Sequence, residues 1–181
     1  MTRRVAVLAA SFSLREQEPN PCNQRLAAET VRICKQFAEA GDLPIVVAQW
    51  EVGLALREHG QFRTNLRYGQ VDAETWAFEE IGQFDDGRYL GTKEVYEEAR
   101  RFFHLMGATH FVAVANPFIH QPYLYWLARK HYKLVFKRVR RIGFDKQSTQ
   151  WWCRSWWKLL IYTVQVALFK KHGYNNRQAQ A

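Results

Sequence analysis

Three short apolar runs, at residues 5–10, 43–48 and 110–115, constrain what this chain can fold into more than any other feature. They are continuous rather than alternating, so both faces of each must be covered, as in a parallel sheet with helices on either side. Helical patterns fill the gaps between them. Asn23 is placed to cap a helix running to about Ala40, with Leu26, Ala27, Thr30, Val31, Cys34 and Ala38 near one face and Gly41 as its stop. Thr92 is placed to cap a second helix reaching about Met106 and ending at Gly107. A short helix from Gly53 to His59 and an irregular strand over 75–81 are expected between them. A helix at 121–131 and a strand at 133–139 follow the third run. This alternation predicts an α/β fold: a Rossmann-like, doubly wound, mostly parallel sheet in three layers, with helices on both faces.

At 181 residues, with 48% hydrophobic and 24% charged residues, the chain has globular composition and the length of one domain. The α/β core is expected over about 4–150, a Trp-rich C-terminal helix within 151–172 and a disordered tail over 173–181. Arg3-Arg4 followed by 5–10 has the outline of a weak signal peptide, but the same run reads as the first buried strand. Cys22, Cys34 and Cys153 have neither paired spacing nor a histidine at metal-ligand distance, so no disulfide framework or metal site is expected; a cytoplasmic setting fits. Charge is uneven. Residues 1–98 carry 11 Lys/Arg against 16 Asp/Glu, net −5, while residues 99–181 carry 15 against Asp145 alone, net +14. The second half therefore favours an anionic partner: a nucleotide, a nucleic acid or an acidic membrane.

In open parallel sheets ligands sit beyond the C-terminal strand ends. That rule nominates Ser11 and Ser13, Gln49 and Trp50, Gly91 and Thr92, and the stretch from Asn116 to His120. Thr92 and Asn116 read equally well as cap and turn residues. His120 can hydrogen-bond a ligand or act as acid or base near neutral pH, against the plainer reading of a packing histidine. No glycine-rich dinucleotide or phosphate-loop pattern is present, and no nucleophile–base pair stands out. Of the adjacent carboxylates, Asp85-Asp86 is the pair placed to reach such a pocket. In the stretch from Phe144 to Ser155, Asp145 and Ser148 either fix a turn with the tryptophans as core, or the tryptophans and Arg154 form a stacking surface for bases.

The Phe144-Asp145-x-x-Ser148-x-Gln150-x-Trp152-x-Arg154-Ser155 run, the histidine after the Asn116 turn and the Thr92-led helix containing Glu94 resemble the YdcF/SanA/ElyC-like proteins, domain-of-unknown-function family 218. Arg25 with Ala28 adds weaker support. The resemblance spans most of residues 4–160. It implies a Rossmann-like fold and a pocket at the strand ends, S-adenosylmethionine as a ligand and a link to the bacterial envelope, with no assigned reaction. Ser11, Arg25, Gln49, Gly91, Thr92, Asn116 and His120 are then the ligand-binding candidates, and Asp145, Ser148, Gln150, Trp152 and Arg154 the structural motif. The chain differs from the family pattern in three places: Ala48-Gln49-Trp50 replaces Ser-Gly-Gly, Gly91 replaces Asn, and Tyr123 stands where an Arg is usual.

Two further surfaces remain open. Arg129, Lys130, Lys133, Lys137, Arg138, Arg140 and Arg141 form a basic face for nucleic acid if 133–139 is a strand. The C-terminal helix, about Ser155 to Lys171, is apolar around most of its circumference. It is too short to span a bilayer, and packs across the sheet, packs in a homo-oligomer interface, or lies peripherally on a membrane with Lys170-Lys171 on acidic lipid.

Overall fold

The computed structural model describes residues 2–15, 19–58, 77–81, 91–140 and 142–169. Asp85-Asp86, Arg141, Lys170-Lys171 and the 173–181 tail lie outside them. Five strands, β1 (Arg4–Ala9), β2 (Leu43–Gln49), β3 (Ala77–Ile81), β4 (His110–Val114) and β5 (Lys133–Leu134), form one sheet in the order β3-β2-β1-β4-β5. Every pairing is parallel. Helices α1 (Pro21–Glu39), α2 (Trp50–Glu58), α3 (Thr92–Leu105) and α4 (His120–Ala128) make the crossovers. A 3-10 turn at Trp151–Arg154 leads into α5 (Trp156–Phe169).

The two-residue period of the strands divides the core. Val5, Val7 and Ala9 of β1 pack with α1 and α2 through Leu26, Ile33, Phe37, Val52 and Leu56. Ala6, Leu8 and Ala10 pack with α3 and α4 through Val95, Phe103, Leu124 and Ala128. This is the three-layer, doubly wound arrangement expected, with the winding reversed between β1 and β4.

Three local expectations change. The cap of α1 is Asn20, not Asn23: its side chain accepts from the N–H groups of Cys22 and Asn23 at 2.9 and 3.0 Å, with Pro21 in the first position, where a missing N–H costs nothing. The cap of α3 is Gly91, not Thr92, and among the described residues no side chain caps that helix. The strand expected over 133–139 covers only Lys133–Leu134. Beyond it Val135 N–H still reaches the Phe111 carbonyl at 2.8 Å, but then side chains take over: Gln121 Nε2 donates to Lys137 O and Lys137 N–H to the Tyr125 hydroxyl.

With the strand shortened, the basic face is not a strand face. Three of its cations are engaged separately: Lys137 lies 5.1 Å over the Phe37 ring, Arg140 is 3.6 Å from Glu29, and Arg129 is 5.2 Å over the Trp126 ring.

Candidate functional site

The β1–α1 loop and the turn before α4 flank the point where the winding reverses. At the end of β1 the backbone turns through Ser13, which holds φ at +81°, a left-handed value that costs a non-glycine residue on the order of 1–2 kcal/mol. What holds it there is a cluster of buried polar bonds. Asn23 Oδ1 accepts from Phe12 N–H at 2.9 Å, and the Asn20 and Asn23 amides both donate to Ser13 O. The Ser13 hydroxyl donates to Asp145 at 2.9 Å, and Arg15 Nε donates to the same carboxylate at 2.7 Å. The Arg15 hydrogen bonds, aided by Ser13 and the Gln147 N–H, outweigh burial and hold the Asp145 carboxyl below its usual range.

Ser148 completes the clamp. Its hydroxyl oxygen accepts from Leu14 N–H and Gln150 N–H, its own proton goes to Leu14 O, and Thr149 N–H donates to that carbonyl at 2.8 Å. Arg154 Nε donates to Ser148 O, Gln150 Oε1 accepts from Cys153, and Trp152 stacks on Tyr162 at 4.4 Å. Asp145 and Ser148 therefore fix a turn, but the tryptophans of the run are not core: Trp151 is exposed and Trp152 half-buried. The run goes beyond a local turn, since it fastens residues about 130 positions earlier in the chain. Arg15 was not among the residues expected there. The signal was the lone acid of a half carrying +14, which, once buried, needs a cation.

The predicted ligand residues divide. Ser11, Gln49, Asn116 and His120 lie on the C-terminal edge of the sheet, but the side-chain oxygens of two are spent internally. Gln49 Oε1 accepts from Ser11 N–H at 3.2 Å, so the side chain standing where the resembled family has glycine bridges β1 to β2 and fills that approach. Asn116 Oδ1 accepts from Phe118 N–H at 3.0 Å, the turn role.

His120 opens α4 and stands edge-on to Phe12 at 5.9 Å, and Phe12 stands edge-on to Phe144 at 6.0 Å. Burial lowers the His120 pKa to about 4, so the ring is neutral at pH 7 and suits hydrogen bonding rather than proton transfer near neutrality. Its Nδ1 is buried and has no hydrogen-bond partner among the described residues; Trp50 Nε1, at the start of α2, is in the same condition.

Two hollows adjoin this row of rings, with Phe144 in the wall of both. One, of about 320 Å³, is lined by Arg15, Arg25, Asp145, Lys146 and Gln147 beside the start of α1. There Arg25 Nη1 donates to Ile142 O at 2.9 Å, which places Arg25 behind the clamp rather than with Ser11. The other, of about 350 Å³, is apolar and lined by Asn116, Pro117, Phe118, Ile142, Phe144 and Trp156. Gly91 and Thr92 stand at the start of α3; no hydrogen bond joins them to the Ser11–Asn116 group among the described residues. Glu94 is near enough to Tyr123 of α4 to add to the burial that raises the tyrosine pKa.

Fold and site together define a Rossmann-like α/β domain with His120 at the C-terminal edge of its sheet. No family model, no curated protein and no solved structure matches the chain significantly.

Proposed function

We propose that this chain is a small-molecule-binding domain of the YdcF/SanA/ElyC-like kind that takes a nucleotide-type ligand at the crevice between β1 and β4. S-adenosylmethionine is the first candidate, on the resemblance alone. The observation that carries the reading is His120: a neutral imidazole at the reversal point with a buried, unpartnered Nδ1. Buried polar atoms are satisfied in the great majority of cases, so an orphan at a strand-end crevice asks for a donor or acceptor from outside the chain. A ribose hydroxyl satisfies either tautomer, because it both donates and accepts.

The test is thermal unfolding with S-adenosylmethionine and related adenosine metabolites. At about 100 times Kd a ligand stabilises the fold by roughly 2.7 kcal/mol, a rise of roughly 5–11 °C for a chain of this size. His120→Phe keeps a ring against Phe12 and removes both nitrogens; it should weaken binding about tenfold, the worth of one hydrogen bond. No shift with any of the metabolites, or an equal shift for His120→Phe, rejects the proposal.

A further inference from the structure

We infer that α5 is a docking element that seats the protein on an anionic lipid surface. The helix is fastened from one side only: Leu159 is buried among the residues packed under α1 and α2, and Tyr162 stacks on Trp152. The other side is apolar and uncovered. Trp156, Trp157, Leu160, Ile161 and Val164 are each about half exposed, at 45–60%. At about 100° per residue they fall within one arc of roughly 140°, with Lys158 and Gln165 just beyond its edge. Isolated exposed apolar residues are ordinary; five in one stripe mark a contact surface.

The chemistry of the stripe and its surroundings selects the occupant. The stripe combines two tryptophans, which favour headgroup level, with the aliphatic side chains Leu160, Ile161 and Val164, which favour the acyl boundary. A helix of 14 residues is about 21 Å long, and among the described residues no helix is long and apolar enough to cross a membrane, so this one lies in the interface plane. In sequence the charge around it is of one sign: residues 146–181 carry six Lys/Arg and no Asp/Glu. Residues 99–181 carry +14, and their single acid, Asp145, is buried against Arg15 and Ser13. A second copy of the chain would bring the same positive surface against this one, which opposes self-association through the stripe. A nucleic acid would answer the charge but leave Leu160, Ile161 and Val164 uncovered. A bilayer with acidic headgroups answers both. Phe118, 61% exposed, extends the apolar surface through the cleft it shares with Trp156, so the turn leading into His120 faces the same side.

The full chain is tested by co-sedimentation with vesicles of phosphatidylcholine alone and with about a third of the lipid replaced by phosphatidylglycerol. It should pellet with the anionic vesicles only and leave them when salt near 1 M shrinks the Debye length to about 3 Å. Lys158→Gln should weaken partition about fivefold, the worth of one cation near an acidic surface. Trp157→Ser with Ile161→Glu should abolish it while the urea midpoint stays that of the parent, since both side chains face solvent. Quenching of the parent's tryptophan emission by brominated lipid gives the same answer without a variant. The proposal is overturned if the parent ignores anionic vesicles. It is equally overturned if the double variant binds them as the parent does, if Ile161→Glu dissociates a dimer in a protein that ignores lipid, or if nucleic acid is retained and vesicles are not.

Discussion

Replacing Asp145 by asparagine tests the clamp on the β1–α1 loop with the least change of shape. The carboxylate is 4% exposed and accepts from the Arg15 guanidinium, the Ser13 hydroxyl and the Gln147 N–H. Asparagine keeps one acceptor oxygen, turns an NH2 toward groups that are themselves donors and takes the Asp145 charge away from Arg15. Removing one partner of a fully buried pair costs about 3–5 kcal/mol. The Arg15 side chain is 28% exposed, so water recovers part of that, and about 2–3 kcal/mol is the expected loss. With a urea m-value near 2 kcal/mol per M, the midpoint should fall by roughly 1–1.5 M. The effect has a pH signature. Because hydrogen bonds from Arg15 depress the Asp145 pKa in the folded chain, its contribution is complete above the unfolded value of about 3.9 and is lost as pH falls through the folded one. Below pH 4 the gap between parent and variant should therefore close, by up to about 1.4 kcal/mol per pH unit. Urea titrations at pH 7 and near pH 3 measure both quantities. A gap under 0.5 kcal/mol at pH 7, or one that does not narrow in acid, would refute the clamp as an energetic element.

At Ser13, glycine should be tolerated better than alanine, which reverses the usual order. Ser13→Ala loses the bond to Asp145 and keeps the strained φ, for about 1–3 kcal/mol, whereas Ser13→Gly loses the bond but relieves the strain; equal midpoints for the two would show that φ is not costly there. Gly143 holds φ at +83°, and an added Cβ would stand 2.6 Å from Arg25 Nη1, so Gly143→Ala should cost about 1–2 kcal/mol; a neutral result by thermal unfolding would mean the turn relaxes. Thr92→Ala should cost less than about 0.5 kcal/mol, because Thr92 follows the cap instead of forming it; a loss of 1 kcal/mol or more in urea would return the cap to Thr92.

The central strands and their helices were legible because a continuous apolar run has few other uses in a chain of this length. Residues 5–10, 43–48 and 110–115 locate β1, β2 and β4 to within a residue. What escaped was decided by partners distant in sequence. Val135, Phe136 and Val139 have strand propensity, yet β5 stops at Leu134 because Gln121 and Tyr125 of α4 supply the hydrogen bonds a neighbouring strand would have supplied. Asn23 looked like a cap because both roles need a short side chain with an acceptor oxygen. Only the loop's return to α1 shows that Asn20 caps the helix and Asn23 holds Phe12. His120 was placed correctly by the strand-end rule, but its neutrality follows from the burial around it and cannot be read from its position in the chain.

The C-terminal helix shows how an inference from composition is corrected by counting faces. A helix apolar around most of its circumference ordinarily reads as buried, and packing across the sheet was one of its expected roles. Yet four crossover helices joining five parallel strands already cover most of both faces: α1 and α2, with Val139, Ile142 and Cys153 beside them, lie on one, α3 and α4 on the other. Among the described residues little sheet face remains for a fifth. It can reach the core only at the margin, as Leu159 does, and its stripe from Trp156 to Val164 stays outside. That constraint follows from the strand and helix count alone. An apolar helix that follows a completed doubly wound sheet is surplus to the core, and its hydrophobic residues have to be explained by something other than the fold.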